Sequence, residues 1–546
     1  MFYLLVPAAF ADSWPTFAHD ERRTGKSEVL GPAAAETVRS LLLPEEMAIN
    51  MPPVVADDGT MYLGTWGVVR NGGQSDRTLW DKVDGSLFAF DSSLVALWNH
   101  QPDLVPYCYA YDGRADTDQC PDGGVWNYYN GTVEGTPVLV DGKVIFGRGD
   151  GKVYALDGVG NRVWTFATYN PLDPADPEGG GEVIDGLLAT HDGAVVFGTT
   201  GVGEYETNAF YAVERETGTE RWRFPQDDAS LDIFGWAAPA LSPDGATVYL
   251  AGAWGPTAEF NADAHGKIWA LDVATGMLKW EYEPIEESLW WEPWAWIQRL
   301  AVGADGTLYV GASMYTLDAG HAVVFALSDE GDSAVETWDE WVEVDGGQAQ
   351  FVLGLALDEV DGDTWRVVAT GSNAYTIGQY PDGGAVTTID ARTGGVEWSF
   401  DPQSQGWNGG VMGVALDANG DIYATMSGTT DAGRVFSLDT EGGVRWDVEA
   451  GGLIEWGGPV LGPDGSVFVG ETRRCAWLAW PIEDGHCDEV DIAPALYAIS
   501  GAPDELDVER VDATAANADC GCEGVAGAGI FLPLFAIRRG RRRDRG

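Results

Sequence analysis

The sequence has 546 residues, enough for two ordinary domains or one large repetitive one. Its 86 acidic residues against 31 basic ones give a formal net charge of −55, and because such a surface repels phosphate backbones, nucleic-acid binding is excluded. Its 73 glycines and 24 tryptophans are typical of strands and turns, which argues against an all-helical protein.

The first eleven residues, MFYLLVPAAFA, are apolar and end in the small-x-small pattern Ala9-Phe10-Ala11. This ending is typical of a signal-peptidase site, so residues 1–11 are predicted to be a truncated signal peptide. The usual basic segment is missing from the sequence, and an N-terminal strand is the alternative interpretation.

A repeated unit dominates the rest of the chain. An Asp-Gly turn precedes a short apolar run, and after a variable loop comes a segment of the form Ala-Leu-Asp-x-x-Thr-Gly-x-x-x-Trp; the clearest copy runs from Asp244 to Trp280. The tryptophans that end the units recur about every 58 residues, and a period of this size is typical of stacked repeat architectures. They are Trp98, Trp164, Trp222, Trp280, Trp338, Trp398 and Trp446.

Each unit contains four short runs of alternating β-branched and aromatic residues, which predicts a four-stranded antiparallel meander. An eighth unit begins at Pro459 and lacks its Trp strand, and the segment from Val38 to Leu43 is predicted to supply that strand and leave no free edge. The predicted fold is therefore all-β: an eight-bladed β-propeller over residues 12–501, with the ring closed by an N-terminal strand.

The repeat carries a family resemblance. The unit Ala270-Leu271-Asp272 with Thr275-Gly276 and Trp280 resembles the tryptophan-docking motif of quinoprotein β-propellers, and the segment beginning Trp14-Pro15-Thr16-Phe17 resembles the opening of PQQ-like repeat proteins. The resemblance covers residues 14–501 and implies the propeller fold. It leaves the function open, because such propellers serve dehydrogenases, outer-membrane assembly factors and binding proteins.

Chemistry is harder to locate in the sequence. Resemblance to the dehydrogenases of this family implies PQQ with Ca²⁺ in the central funnel. No metal ligand, however, can be matched residue by residue, and no two cysteines are adjacent. The six histidines are scattered, and there is no nucleophile elbow or phosphate-binding loop. We therefore expect no catalytic residue and no cofactor, with PQQ and Ca²⁺ as the alternative.

Tryptophans outside the docking motif form the predicted ligand-binding site. They precede innermost strands or follow second strands, so they are expected at a common rim, where they could stack a sugar or hold a cationic ligand. The alternative is that they only fill the funnel by packing. The predicted ligand-binding residues are Trp66, Trp236, Trp254, Trp296, Trp407 and Trp456.

Two further patterns concern metal ions and disulfides. Asp112, Asp116 and Asp118 lie near Cys120 and are candidate Ca²⁺ ligands, although the run does not match an EF-hand loop and solvated turns are the alternative. Local disulfides are expected in an exported protein, because two cysteine pairs have the same separation in sequence. These pairs are Cys108 with Cys120, and Cys475 with Cys487.

The C-terminal end combines Cys520-Gly521-Cys522 with an apolar run and the basic cluster that begins at Arg538. This tail resembles the Cys-containing sorting signals of myxobacterial surface proteins. The resemblance implies cleavage near Cys520 and Cys522 and anchoring through a lipidated cysteine. Residues 502–519 are predicted to be a linker and residues 520–546 the sorting and anchor segment.

These observations predict an exported, monomeric propeller, anchored by its C-terminus at the outer-membrane surface or outside the cell. Its expected role is non-catalytic: a binding scaffold for a partner protein or a surface glycan. The alternatives are a PQQ- and Ca²⁺-dependent dehydrogenase and an outer-membrane protein assembly factor.

Overall fold

Eight antiparallel sheets follow one another along the chain and form an eight-bladed β-propeller, which confirms the predicted fold class. Within the described part of the chain, the only helical segments are two short 3-10 turns, Val344–Gly347 and Pro402–Gln405, and no helix is long and apolar enough to cross a membrane. The computed structural model describes residues 13–43, 47–49, 51–67, 85–100, 107–109, 125–127, 133, 135–168, 183, 186–199, 208–226, 237–254, 265–284, 294–315, 320–338, 342–347, 349–360, 362–373, 383–428, 433–452, 454, 457–471, 494–501 and 508–509.

Each blade is a meander whose strands follow in order from the axis outward. The strands of blades 1 to 4 are Val54–Val55, Met61–Gly64, Leu87–Phe90 and Ala96–His100; Val138–Val140, Lys143–Arg148, Lys152–Asp157 and Arg162–Ala167; Leu188–Ala189, Ala194–Gly198, Phe210–Glu214 and Glu220–Phe224; and Ala240–Leu241, Thr247–Trp254, His265–Asp272 and Leu278–Tyr282.

Blades 5 to 7 repeat this order with longer inner strands. Their strands are Trp294–Val302, Leu308–Tyr315, Gly320–Asp329 and Ala334–Glu336, with Val342–Glu343 also paired to Gly320–Asp329; Phe351–Val360, Asp363–Ser372, Gly384–Asp390 and Val396–Phe400; and Gly409–Leu416, Ile422–Gly428, Arg434–Leu438 and Val444–Glu449. Two small hairpins lie outside the blades and pair Met47–Ala48 with Trp66–Gly67 and Tyr107–Tyr109 with Val125–Asn127.

Blade 8 is built from both ends of the described chain. Its first three strands are Val460–Leu461, Val467–Glu471 and Ala495–Ser500, and the fourth is Thr37–Leu42, which pairs antiparallel with Ala495–Ser500 from Thr37 opposite Ser500 to Leu42 opposite Ala495. The predicted closing strand is therefore confirmed, shifted by one residue. Val508–Glu509 adds a short parallel strand outside it.

The repeat motif explains how neighbouring blades are held together. Gly276 has φ +66, and its backbone lies so close to the Trp222 ring that a Cβ there would stand 2.6 Å from the ring. The Trp222 indole N–H also donates to the Val273 carbonyl at 2.8 Å. The tryptophan of one blade thus packs on the Thr-Gly turn of the next, which requires glycine because an L side chain is strained at positive φ and would collide.

Candidate functional site

Residues 14–31 run along the inside of the ring and bond to the innermost strand of one blade after another. The bonds lie at the strand ends next to the short turns between first and second strands, so the chain itself occupies this end of the channel. They are Trp14 N to Val55 O (2.8 Å), Leu139 N to Pro15 O (2.7 Å), Thr16 Oγ1 to Leu187 O (2.9 Å), Leu241 N to Glu21 O (2.8 Å), Val302 N to Arg22 O (2.8 Å), Leu357 N to Thr24 O (2.7 Å) and Leu416 N to Gly25 O (2.8 Å).

Arg23 is the buried cation of this segment, with 1% of its surface exposed. Its Nε donates to the Pro239 carbonyl at 2.8 Å and its Nη2 to the Leu187 carbonyl at 3.0 Å, so it joins the innermost strands of blades 3 and 4. Its Nη1 donates to Thr16 Oγ1 at 2.7 Å. Burial lowers the pKa of Arg23 to about 10, so the guanidinium remains charged at neutral pH.

Arg299 supplies a second buried guanidinium, on the innermost strand of blade 5. It lies over the Phe17 ring, with the guanidinium carbon 5.4 Å from the ring centroid. Its Nε donates to the Leu353 carbonyl on blade 6 at 2.9 Å, and its Nη1 to the Gln298 carbonyl at 2.7 Å. Two cations are therefore held inside the ring of a strongly acidic protein, and both donate to carbonyl oxygens.

An aromatic pair lies further along the same strands, towards the end with the longer connections. The rings of Trp296 and Phe351 are perpendicular, with centroids 6.2 Å apart, and 7% and 6% of these residues are exposed. Gln298 lies between Trp296 and Arg299 in the sequence, and its Oε1 accepts from Val352 N at 2.8 Å and from Ser313 Oγ at 3.0 Å. We call Phe17, Arg23, Trp296, Gln298, Arg299 and Phe351 the axial cluster.

Of the predicted ligand-binding tryptophans, the structure places Trp296 in the axial cluster and Trp407 elsewhere. The Trp407 ring packs between blades 6 and 7, 5.5 Å from the Phe436 ring and 6.1 Å from the Phe400 ring, with the Arg434 guanidinium 4.9 Å from its centroid. The structure thus does not bring Trp296 and Trp407 together.

The remaining predicted residues cannot be placed in a site. Trp66, Trp254 and Cys108 belong to described strands, but their side chains lie outside the described part of the protein. The other predicted residues lie outside the described residues: Trp236, Trp456, Asp112, Asp116, Asp118, Cys120, Cys475, Cys487, Cys520 and Cys522. The disulfide, Ca²⁺ and sorting assignments therefore stay predictions.

Acidic groups also occur at the end with the longer connections. Burial and the charge of Asp401 raise the pKa of Asp345 to about 6. The backbone of Asp345 is left-handed, with φ +58, and its N–H donates to Thr387 Oγ1 at 3.2 Å. Within the described ranges, no three His, Cys, Asp or Glu side chains come close enough to hold a metal ion.

The two arginines and Gln298 were missed by sequence reasoning, which considered aromatic, acidic, histidine and cysteine side chains but no buried arginine or amide. One signal was present: Arg299 is the sole Lys or Arg between Lys279 and Arg366, inside a strand that is apolar apart from Arg299 and Gln298. A lone cation in a buried strand requires partners inside the fold, and this would have directed attention to the axis.

Comparison with known proteins adds three kinds of likeness. A PQQ-like repeat family model, described as outer membrane protein assembly factor BamB, matches residues 135–289, less than a third of the chain. The dehydrogenase subunit of the quinone-type alcohol dehydrogenase of Acetobacter aceti is 32% identical over 149 residues, covering 27% of this chain and only 17% of that protein.

Two solved structures share the fold over most of the chain. A europium-containing methanol dehydrogenase superposes with a TM-score of 0.56 at 16% identity, covering 90% of this chain and 98% of the other. A quinohemoprotein alcohol dehydrogenase from Pseudomonas putida HK5 superposes with a TM-score of 0.51 at 14% identity, covering 92% and 82%.

The sequence relative contradicts two predictions made from the sequence, a non-catalytic binding scaffold and the absence of any cofactor, because it is a subunit of a quinone-type alcohol dehydrogenase. Both predictions depended on finding no local motif. Inside a propeller, however, the residues of one site come from distant parts of the chain, as Arg23 of the N-terminal segment and Arg299 of blade 5 do, so no short motif marks them. The chain is thus an eight-bladed β-propeller whose residues 135–289 match the PQQ-like repeat model.

Proposed function

We propose that the protein is a quinone-dependent dehydrogenase that binds PQQ in the propeller channel and oxidises an alcohol. The axial cluster carries this proposal, because it combines buried aromatic rings with buried cations at the inner end of a channel that residues 14–31 occupy. The partial match to a quinone-type alcohol dehydrogenase subunit supports the same assignment.

The chemistry of the axial cluster fits this cofactor. PQQ is a planar ortho-quinone that carries three carboxylates, so it needs flat apolar surface and positive potential. The rings of Trp296 and Phe351 supply the first, and the guanidinium groups of Arg23 and Arg299 supply the second. When bound, PQQ supplies the two-electron acceptor for alcohol oxidation.

The residues of the chain itself prepare the site. Gln298 accepts from Val352 N and Ser313 Oγ, which fixes the strands that carry Trp296 and Phe351 relative to each other. The carbonyl partners of Arg299 fix its guanidinium before any ligand arrives, so little reorganisation is needed on binding. No metal ligand is assigned to a described residue.

The test compares two tryptophans in the full-length protein. PQQ is titrated in the presence of Ca²⁺, bound PQQ is measured by absorbance, and alcohol oxidation is followed with an artificial dye. We expect Trp296→Ala to weaken PQQ binding about tenfold or more, because it removes half of the buried aromatic pair. The matched control Trp407→Ala, between blades 6 and 7, should bind PQQ like the wild type.

Trp296→Phe accompanies the alanine variant, since deletion of a buried tryptophan alone costs about 3–5 kcal/mol of stability. The phenylalanine variant should stay folded and bind PQQ with intermediate affinity. Absence of PQQ uptake by the folded wild type, or an equal effect of both alanine substitutions, would overturn the proposal.

A second candidate function is a role in outer-membrane protein assembly, favoured by the repeat model that matches residues 135–289. A comparison of partner binding with PQQ uptake distinguishes the two functions. An assembly factor should bind components of a barrel-assembly machine in a pull-down with purified partners and take up no PQQ, whereas the dehydrogenase should do the reverse.

A further inference from the structure

One position of the repeat differs in blade 2 from its equivalents in blades 1 and 3. The second strands of these blades reach a glycine in the same register, Gly64, Gly147 and Gly198, paired with Leu87, Val153 and Phe210. The residues that follow are Thr65, Arg148 and Thr199. Blade 2 therefore carries a long cation where its neighbours carry a small hydroxyl.

The hydroxyl groups of the two threonines form hydrogen bonds within their own blades. Thr199 Oγ1 accepts from Ala209 N at 2.9 Å and donates to Ala209 O at 3.2 Å, and Thr65 Oγ1 makes the same pair of bonds with Ser86 at 3.0 and 3.1 Å. The repeat thus needs only a local hydrogen-bonding group at this position. Arg148 provides more donors than the architecture requires.

Arg148 is 1% exposed, and one edge of its guanidinium is unused. Nη1 donates to Asp150 Oδ2 at 3.0 Å, but Nε and Nη2 have no hydrogen-bond partner within the part of the protein that the structure describes. Nε–H and one N–H of Nη2 point the same way along one edge of the planar group. This edge is the fork that receives both oxygens of a carboxylate.

Both oxygens of the neighbouring acid, Asp150, already accept hydrogen bonds from other groups. Asp150 Oδ2 accepts from Tyr154 Oη at 2.7 Å as well as from Arg148, and Oδ1 accepts from Lys152 N at 3.2 Å. From blade 1, the imidazole ring of His100 lies 6.3 Å from the Tyr154 ring. Buried donors without partners destabilise a fold, so the arrangement lacks an acceptor.

We propose that the free edge of Arg148 is the binding site for a carboxylate, at the junction of blades 1 and 2. A carboxylate would accept from Nε and Nη2 while Asp150 keeps Nη1, which completes the hydrogen bonding of the guanidinium. The proposal goes beyond the proposed function, because Arg148 and Asp150 belong to blade 2 and not to the axial cluster. Two sources share this chemistry: a carboxylate of PQQ, and a free small carboxylic acid.

The test uses acetate and PQQ as separate probes of the full-length protein, by calorimetric titration and by the shift in Tm. The variant Arg148→Lys keeps a cation beside Asp150 but lacks the planar fork. We expect it to weaken acetate binding about tenfold or more and to abolish most of the Tm shift with acetate. The control Arg392→Lys changes an exposed arginine stacked on Trp365 and should bind acetate like the wild type.

The two probes distinguish the sources. Competition between acetate and PQQ that disappears in Arg148→Lys would assign the edge to a PQQ carboxylate. Arg148-dependent acetate binding without competition would assign it to a free acid, and the same result without any PQQ uptake would leave this site standing while the dehydrogenase proposal fails. Acetate binding that is absent from the wild type, or unchanged in Arg148→Lys, would overturn the carboxylate site.

Discussion

The guanidinium of Arg299 stacks on the ring of Phe17, 5.4 Å from its centroid, although the two residues belong to blade 5 and to the N-terminal segment. This contact joins the segment to the innermost strand of a blade, and the backbone bonds of residues 14–31 do the same around the ring. The segment is therefore part of the propeller core, and its buried side chains should matter for stability as much as those of the blades.

Arg23→Met is expected to destabilise the protein by about 3 kcal/mol, because it removes the Arg23 donor from the buried Pro239 carbonyl and leaves the Leu187 carbonyl with Thr16 Oγ1 alone. Urea unfolding at neutral pH measures the change. Arg392→Met, at an exposed arginine, should change stability by less than about 0.5 kcal/mol. Equal effects of the two substitutions would show that the segment does not contribute to the core.

Leu41→Ala tests the closing strand of blade 8. Leu41 is 2% exposed and pairs with Leu496, so its truncation should cost about 2–4 kcal/mol by loss of buried apolar surface and creation of a cavity. Leu97→Ala removes the same atoms from a residue that is 49% exposed and should cost far less. A closing strand that contributed nothing would give two similar unfolding midpoints.

Glu471→Gln tests the pH dependence of stability. Burial raises the pKa of Glu471 to about 7, while Gly451 N donates to its Oε2 at 2.9 Å. The folded state therefore holds a proton that the unfolded state has already released, so the stability contributed by Glu471 is present below pH 4.5 and is lost as the pH rises through about 7.

The glutamine variant has no such ionisation. The stability of the wild type relative to Glu471→Gln should therefore fall by up to about 3 kcal/mol between pH 4.5 and 7.5 and then level off. Unfolding in urea at a series of pH values measures this difference. A difference that stays constant across the range would show that the carboxyl ionises normally in the fold.

The fold could be predicted because its information is local and repeated. Equivalents of Asp272, Gly276 and the tryptophan that ends the unit recur along the chain. The eighth unit lacks its last strand, and this gap indicated that the N-terminal strand replaces it. Each of these features depends on residues within one unit or on a gap in the pattern, and both are visible without coordinates.

The axial cluster could not be predicted in the same way. Arg23 and Arg299 are far apart in sequence, and only the closing of the ring brings the N-terminal segment beside blade 5. The predicted ligand-binding role of Trp407 had a similar limit. Its position before an innermost strand was recognised from the sequence, but the direction of its side chain depends on Phe400 and Phe436, which belong to two different blades. The position of a residue along a strand can be read from the local sequence, whereas the residues that its side chain contacts depend on how distant blades pack together.

Gly276→Ala tests the packing of a tryptophan on the turn of the next blade. Both Gly276 and Gly142 have positive φ, +66 and +70, so an alanine is strained at either position by about 1 kcal/mol. Only at Gly276 would the new methyl meet a ring, 2.6 Å from Trp222, whereas nothing lies within 4 Å at Gly142. Gly276→Ala should therefore cost about 1–3 kcal/mol more than Gly142→Ala in urea unfolding. Because the backbone strain is common to both variants, the difference between their free energies of unfolding isolates the contact between blades 3 and 4. Equal free energies of unfolding would mean that Trp222 can move away from the new methyl group without loss of stability.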